Sequence, residues 1–160
     1  MEESVQKSSK GIGGWLILPL LGLILSPLRL VYMIYEDLWP IFSPDYWEEL
    51  TSPDSPFYHE LWKSVLIFEV AGNLAVFLLG LLALISFLRK SRKAPRWIIL
   101  WFLLAFVFVA ADTYFRTYIP GAAEQLDTIP VSELWRTGIT AAIWIPYFLV
   151  SKRVTATFVN

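Results

Sequence analysis

The chain contains no cysteine and only one histidine, His59. The first absence excludes thiolate metal sites and the disulfide-shuttling class of small membrane enzymes, since both need a reactive thiol. The second excludes, within one chain, paired-histidine haem ligation and histidine-rich metal sites. No G-x-S-x-G, H-E-x-x-H or phosphate-binding loop occurs. The glycines of Gly11-Ile12-Gly13-Gly14 match no nucleotide fingerprint, because no strand precedes them; they read as residues that allow close packing or a flexible start to the first apolar run. His59 lies in a tyrosine- and acid-rich segment and reads as a surface residue. Alternating apolar patterns are missing as well, and the apolar runs are continuous, unlike barrel strands. The expectation is therefore no catalytic residue, no metal, no cofactor and no nucleic-acid partner.

What the chain has in excess is apolar sequence. Hydrophobic residues make up 56%, aromatics 16%, and the mean hydropathy is +0.55. Soluble domains average about 45–50% apolar residues. Four runs, at 12–35, 62–88, 97–118 and 132–150, approach the roughly 20 apolar residues that a membrane span needs. The fold expected over 1–160 is one all-α transmembrane domain, a four-helix bundle with a larger acidic and aromatic outer loop at 36–61. Lysines ahead of the first run suggest a signal peptide, but no small-residue cleavage site follows. Pro27, Arg29, Leu30, Tyr32 and Met33 come instead, so this run is expected to stay as an uncleaved span.

A net charge of −1 hides a strong asymmetry. Lys7 and Lys10 precede the first run, Arg89, Lys90, Arg92, Lys93 and Arg96 fill the turn between runs two and three, and Lys152 and Arg153 follow run four. The other two connections are acidic, with Glu36, Asp37, Asp45, Glu48, Glu49, Asp54 and Glu60 in one and Glu124, Asp127 and Glu133 in the other. The bias of cytoplasmic loops toward lysine and arginine puts both termini and the basic turn inside. The turn at 91–96 is short, so runs two and three should be antiparallel neighbours.

Pro19 and Pro27 interrupt the first run, as ordinary kinks of a packed helix or as a hinge. The outer loop is punctuated by Pro40, Pro44, Pro53 and Pro56, with helical turns expected near 46–50 and 57–61. Its tryptophans and tyrosines suit a membrane–water interface, and it reads as an external cap or a surface for partner contact. Pro146, Trp144 and Tyr147 suit the inner end of the fourth run. Beyond them, residues 154–159 form a β-prone tail that either lies on the cytoplasmic face or stays disordered.

The ionisable residues inside the runs are the candidate site. Each costs roughly 2.5–3.5 kcal/mol on insertion, so such groups normally pair or line a watery cavity. At about 1.5 Å per residue, Glu69 lies roughly 10 Å below the outer surface, Asp112 and Arg29 roughly 8–9 Å, and Arg136 roughly 6 Å, while Arg116 falls near the rim. Helical periodicity groups Glu69, Gly72, Asn73, Gly80 and Ala83 on run two and Trp101, Ala105, Asp112 and Arg116 on run three. It groups Arg136, Thr140, Ile143 and Tyr147 on run four and Trp15, Gly22, Ser26 and Arg29 on run one. Turned inward, these stripes make one charged layer. Glu69 and Asp112 then pair with Arg29 and Arg136 as a staple, or the layer floors a vestibule that binds a polar ligand. Snorkelling is the third option for Arg29 and Arg116.

Residues 11–16, G-I-G-G-W-L, and 22–28, G-L-I-L-S-P-L, followed at 136–159 by R-T-G-I-T-A-A-I-W-I-P-Y-F-L-V-S-K-R-V-T-A-T-F-V, resemble a bacterial inner-membrane family, domain of unknown function 2569. The resemblance spans the chain, with its specific motifs at the two ends. It implies four spans in a bacterial plasma membrane and no activity, and Glu69, Asn73 and Asp112 stand where that family's polar residues are expected.

The function expected is a noncatalytic binding, sensing or accessory role, using a polar layer of Arg29, Glu69, Asn73, Asp112, Arg116 and Arg136. The alternative is an oligomeric small-molecule or proton-coupled transporter with Glu69 or Asp112 as coupling carboxylate. A lipid-modifying enzyme ranks third. The partners expected are the lipid bilayer, then a small polar ligand or membrane-protein partner, or a second copy in a homodimer.

Overall fold

A continuous apolar run offers no polar neighbours to its own backbone, so it satisfies that backbone internally as a helix. The computed structural model describes residues 11–119 and 131–160. In chain order it holds α1 (Ile17–Met33), α2 (Pro44–Thr51), α3 (Trp62–Leu88), α4 (Ala94–Arg116), α5 (Val131–Val150) and α6 (Lys152–Thr157), with no strand among the described residues. Three stretches are long and apolar enough to cross a membrane: Gly14–Phe42, Trp62–Leu88 and Ala94–Arg116. The fourth long helix, α5, has 20 residues. It is not among those three because Glu133 and Arg136 dilute its apolar character. The charges expected at Lys7, Lys10, Glu124 and Asp127 lie outside the described residues.

Local sequence sets the helix ends. Pro19 sits in the first turn of α1, where a missing N–H costs little, and Pro27 lies inside the helix. The chain continues through a wider turn at Ile34–Leu38 and a tight one at Pro40–Phe42. Ser43 precedes α2, which opens on Pro44. At the far end of α3, Lys90 takes a left-handed conformation (φ 51°). Its N–H reaches Phe87 O at 3.0 Å, and that of Ser91 reaches Ser86 O at 3.0 Å. This pair of bonds is a Schellman closure, a position that usually favours glycine.

Helix α1 packs on α3, α3 on α4, and α4 on α5. One apolar core lies at the basic end and joins Leu16 and Leu23 of the α1 region, Ala83 and Phe87, Ile98 and Trp101, and Ala141 and Phe148. A second core at the acidic end joins Leu38, Ile41, Leu50, Trp62, Leu66 and Ile119. The 36–61 segment therefore folds back over the start of α3. Trp62 is fully buried beneath it and donates its indole N–H to Phe57 O at 3.2 Å. Of the two helical turns expected in this segment, the one near 46–50 is α2; residues 57–61 form turns rather than helix.

The α3–α4 contact is close because small residues sit opposite rings. A Cβ added at Gly72 would lie 1.9 Å from Phe108 Cε2, and one at Gly80 would lie 2.9 Å from Trp101 Nε1. Small residues let backbones approach in this way. The inward stripes expected for these two helices are the packed ones, with Asn73, Gly80, Ala83, Trp101, Asp112 and Arg116 buried.

The stripes expected for the first and fourth runs are not. Helix α1 buries Pro19 and Leu23 with the preceding Leu16, and leaves Trp15, Gly22 and Arg29 exposed. Helix α5 buries Ala141 and Phe148, and leaves Arg136 and Ile143 exposed. Ser26, Thr140 and Tyr147 are only half-buried. The apolar faces of these helices contain better knobs than their polar faces, and packing chooses shape.

The tail differs as well. Instead of a strand-like or disordered segment, residues Lys152–Thr157 form α6, started by Ser151, whose hydroxyl accepts from the Arg153 N–H. Val154 and Phe158, four apart, enter the basic-end core.

Candidate functional site: two ion clusters near the acidic end

Arg116 is the centre of the first cluster. Its Nη2 lies 2.7 Å from Glu69 Oε2, and its Nε donates to Asp112 Oδ2 at 2.9 Å. Asp112 and Arg116 are one turn apart on α4, while Glu69 reaches across from α3. All three side chains are only 10–14% exposed. Along the same stretch of the two helices, Phe68 packs against Phe108 and Phe115, with ring centroids 5.4 Å apart in each pair. Unit charges about 4 Å apart attract by about 4 kcal/mol at an effective dielectric of 20. Desolvation consumes much of that gain, so the cluster specifies which helices meet more than it adds net stability.

The composition of this cluster matters chemically. Two carboxylates share one guanidinium, so the fully ionised group carries an excess negative charge. Asp112 Oδ1 is buried and has no hydrogen-bond partner among the described residues, and the same holds for the neighbouring Thr113 Oγ1. Asn73 is buried one turn from Glu69 on α3. The site can thus accept a hydrogen bond at Asp112 Oδ1 without breaking the Arg116 contacts.

The second cluster joins α1 to α5. Arg29 donates through Nη1 and Nη2 to Glu133 Oε1 and Oε2, at 3.4 and 3.0 Å. Arg136 donates to the same carboxylate through Nε, at 3.1 Å, and through Nη2. Both arginine side chains are more than half exposed, at 57% and 58%. Thr140 returns its hydroxyl to Arg136 O at 2.7 Å. Here two cations share one anion, the reverse of the first cluster.

The ion pairs therefore differ from those expected. Arg29 and Arg136 meet Glu133 instead of Glu69 and Asp112, and Arg116, expected at the rim, holds both buried carboxylates. Side-chain direction explains the exchange. Cβ atoms tilt toward a helix N-terminus. Arg116, near the C-terminus of α4, consequently points back into the helix pair. Arg136, near the N-terminus of α5, points toward the acidic end. Glu133 counts among the acidic residues of the connection before the fourth run, yet it also lies at the start of that run, and its three-residue spacing from Arg136 carries the signal for a helical pair.

A family described as "Protein of unknown function (DUF2569)" matches residues 9–159. The Inner membrane protein YdgK of Escherichia coli (strain K12) is 29% identical over 149 residues, which cover 93% of this chain and 94% of that protein. No solved structure matches the chain. With the family match running through both terminal motifs and through the helices that carry Glu69, Asp112 and Arg116, the chain belongs to the DUF2569 family of membrane proteins.

Proposed function

We propose that this is a noncatalytic binding or accessory protein of the bacterial inner membrane, a four-span bundle with both termini cytoplasmic. The similarity to an inner membrane protein supports the location, and the separation of basic and acidic connections supports the orientation. As the fourth span, α5 carries Glu133 and Arg136 as each other's counterions near the outer headgroups. The working surface is the Glu69–Asp112–Arg116 cluster. The observation that carries this reading is the buried acceptor at Asp112 Oδ1 beside an ion pair that is already complete. A polar donor from a small ligand or a partner helix fits there.

Access to the cluster is the test. Single cysteines at Asn73 and Thr140, with Glu49→Cys as an exposed control, are treated in spheroplasts with a membrane-impermeant thiol reagent. Labelling of Asn73→Cys close to that of the control supports a ligand site open to the outside. Labelling of the control alone directs the search to a partner helix within the membrane.

A second reading is favoured by the excess negative charge of the cluster. A proton-coupled transporter, assembled as a dimer, would use Glu69 or Asp112 as its coupling carboxylate. In proteoliposomes holding a pH-sensitive dye, it predicts proton flux that Asp112→Asn abolishes while folded yield is retained. The accessory reading predicts no flux, and reduced folded yield or partner recovery in the same variant.

A further inference from the structure

The basic end carries a feature that charge topology alone does not require. The chain's last residues are bonded to the α3–α4 turn: Arg92 N to Asn160 O at 2.7 Å, Asn160 N to Lys90 O at 3.2 Å, Arg92 Nε to Val159 O at 2.8 Å and Asn160 Nδ2 to Arg89 O at 3.1 Å. Between the turn, α5 and α6 this leaves a recess of about 590 Å³, lined by Arg92, Pro95, Phe148, Val154, Thr155 and Phe158 among others. That is the size range of small-molecule sites, roughly 300–1,000 Å³. Its floor is firm. Phe158 packs edge-on against Phe87 with centroids 5.0 Å apart, and both Phe148 and Phe158 are buried.

The charged side chains of the segments that border the recess have one sign. Residues 89–96 contain five cations and residues 151–160 two more, with no acidic side chain in either segment. Of the two in the tail, Arg153 lies over Gly13 and Gly14, where an added Cβ would come within 3.0 and 3.3 Å of its guanidinium. Arg92 uses Nε on the backbone and keeps the rest of its fork at an exposed position.

We infer that this recess binds one anionic phospholipid. Arg92 meets the phosphate, and the Phe148–Val154–Phe158 floor takes the start of an acyl chain. Basic pockets at the cytoplasmic ends of transmembrane helices recognise headgroups by this combination. A topogenic turn needs the cations, but it does not need a firm apolar floor beneath one of them. The binding chemistry is independent of the proposed orientation, which decides only that the lipid comes from the inner leaflet.

The test uses the full chain purified in detergent, given equimolar phosphatidylglycerol and phosphatidylcholine of matched acyl chains, with bound lipid counted by native mass spectrometry. The expected result is one retained phosphatidylglycerol, preferred by about fivefold per basic group engaged. Arg92→Gln should bring the preference down by about that factor. Thr155→Trp, which fills the recess from an exposed position and gives up only the Thr155 hydroxyl bond to Lys152 O while leaving the bonds of Val159 and Asn160 to the α3–α4 turn in place, should remove the retained lipid. Equal retention of the two lipids overturns the inference, as does a preference that Thr155→Trp leaves unchanged. So does displacement of the lipid by a short polyglutamate peptide at equal concentration, since an acidic protein segment would then be the occupant. Impermeant thiol labelling of Asn160→Cys in spheroplasts separately sinks the orientation without touching the lipid result.

Discussion

Arg116 does what a lysine in its place would not. Its planar fork offers Nε to one carboxylate and Nη2 to another, whereas an ammonium is a single point charge. Arg116→Gln leaves Glu69 and Asp112 buried without their shared cation. The expected loss is about 3–5 kcal/mol, the range for removing one partner of a buried pair. Reversible unfolding in bicelles measures it, and adding Glu69→Gln and Asp112→Asn to the variant should restore most of the loss. Gly72 is the apolar counterpart. Gly72→Ala drives a methyl into Phe108 and should cost about 1–3 kcal/mol in the same assay. Much of this was legible in sequence. Glu69 and Asp112 stand out because they are carboxylates inside long apolar runs, and Gly72 and Asn73 follow Glu69 on the same face. The role of Arg116 was not legible, because counting residues gives the depth of a Cα and not the reach of a six-bond side chain directed back along its helix.

Among the elements, the terminal helix α6 shows how packing overrides propensity. Val154, Thr155 and Thr157 favour strand, yet Val154 and Phe158 fill the gap left where α3, α4 and α5 converge. Phe158→Ala should therefore destabilise the protein by about 3 kcal/mol and free the tail. Faster tryptic cleavage after Lys152 and Arg153, with α3 and α4 still protected, is the readout. The left-handed Lys90 at the end of α3 makes the opposite prediction. Lys90→Gly removes an unfavourable backbone conformation and should raise stability by about 1 kcal/mol, seen as a higher midpoint of thermal unfolding.

At the scale of the whole molecule, the two clusters divide the labour by exposure. The buried one fixes α3 against α4, and the exposed one ties α1 to α5 where neither helix is closely packed on the other. An exposed pair contributes about 0–1 kcal/mol. Arg29→Gln should accordingly shift stability by no more than that, far less than Arg116→Gln. The apolar outer face of α1, with Ile17, Leu21, Ile24, Leu25 and Leu28 exposed, is what a lipid-facing helix presents.

Composition and run length by themselves determined that the chain is helical and belongs in a membrane, because a bilayer tolerates few other backbones. Short connections and small-residue stripes determined the α3–α4 pairing, since a close helix crossing demands small residues opposite large ones. Only the tertiary structure decided which face of α1 and of α5 turns inward. Polar periodicity marks a distinct face, but van der Waals fit selects the packed one, and a long arginine stem lets its charge find a partner from either side. The same competition assigned Glu133 to Arg29 and Arg136, and gave Arg116 both buried carboxylates. It also brought the glycines at one end of the chain against Arg153 at the other, a contact between distant segments that no local pattern specifies.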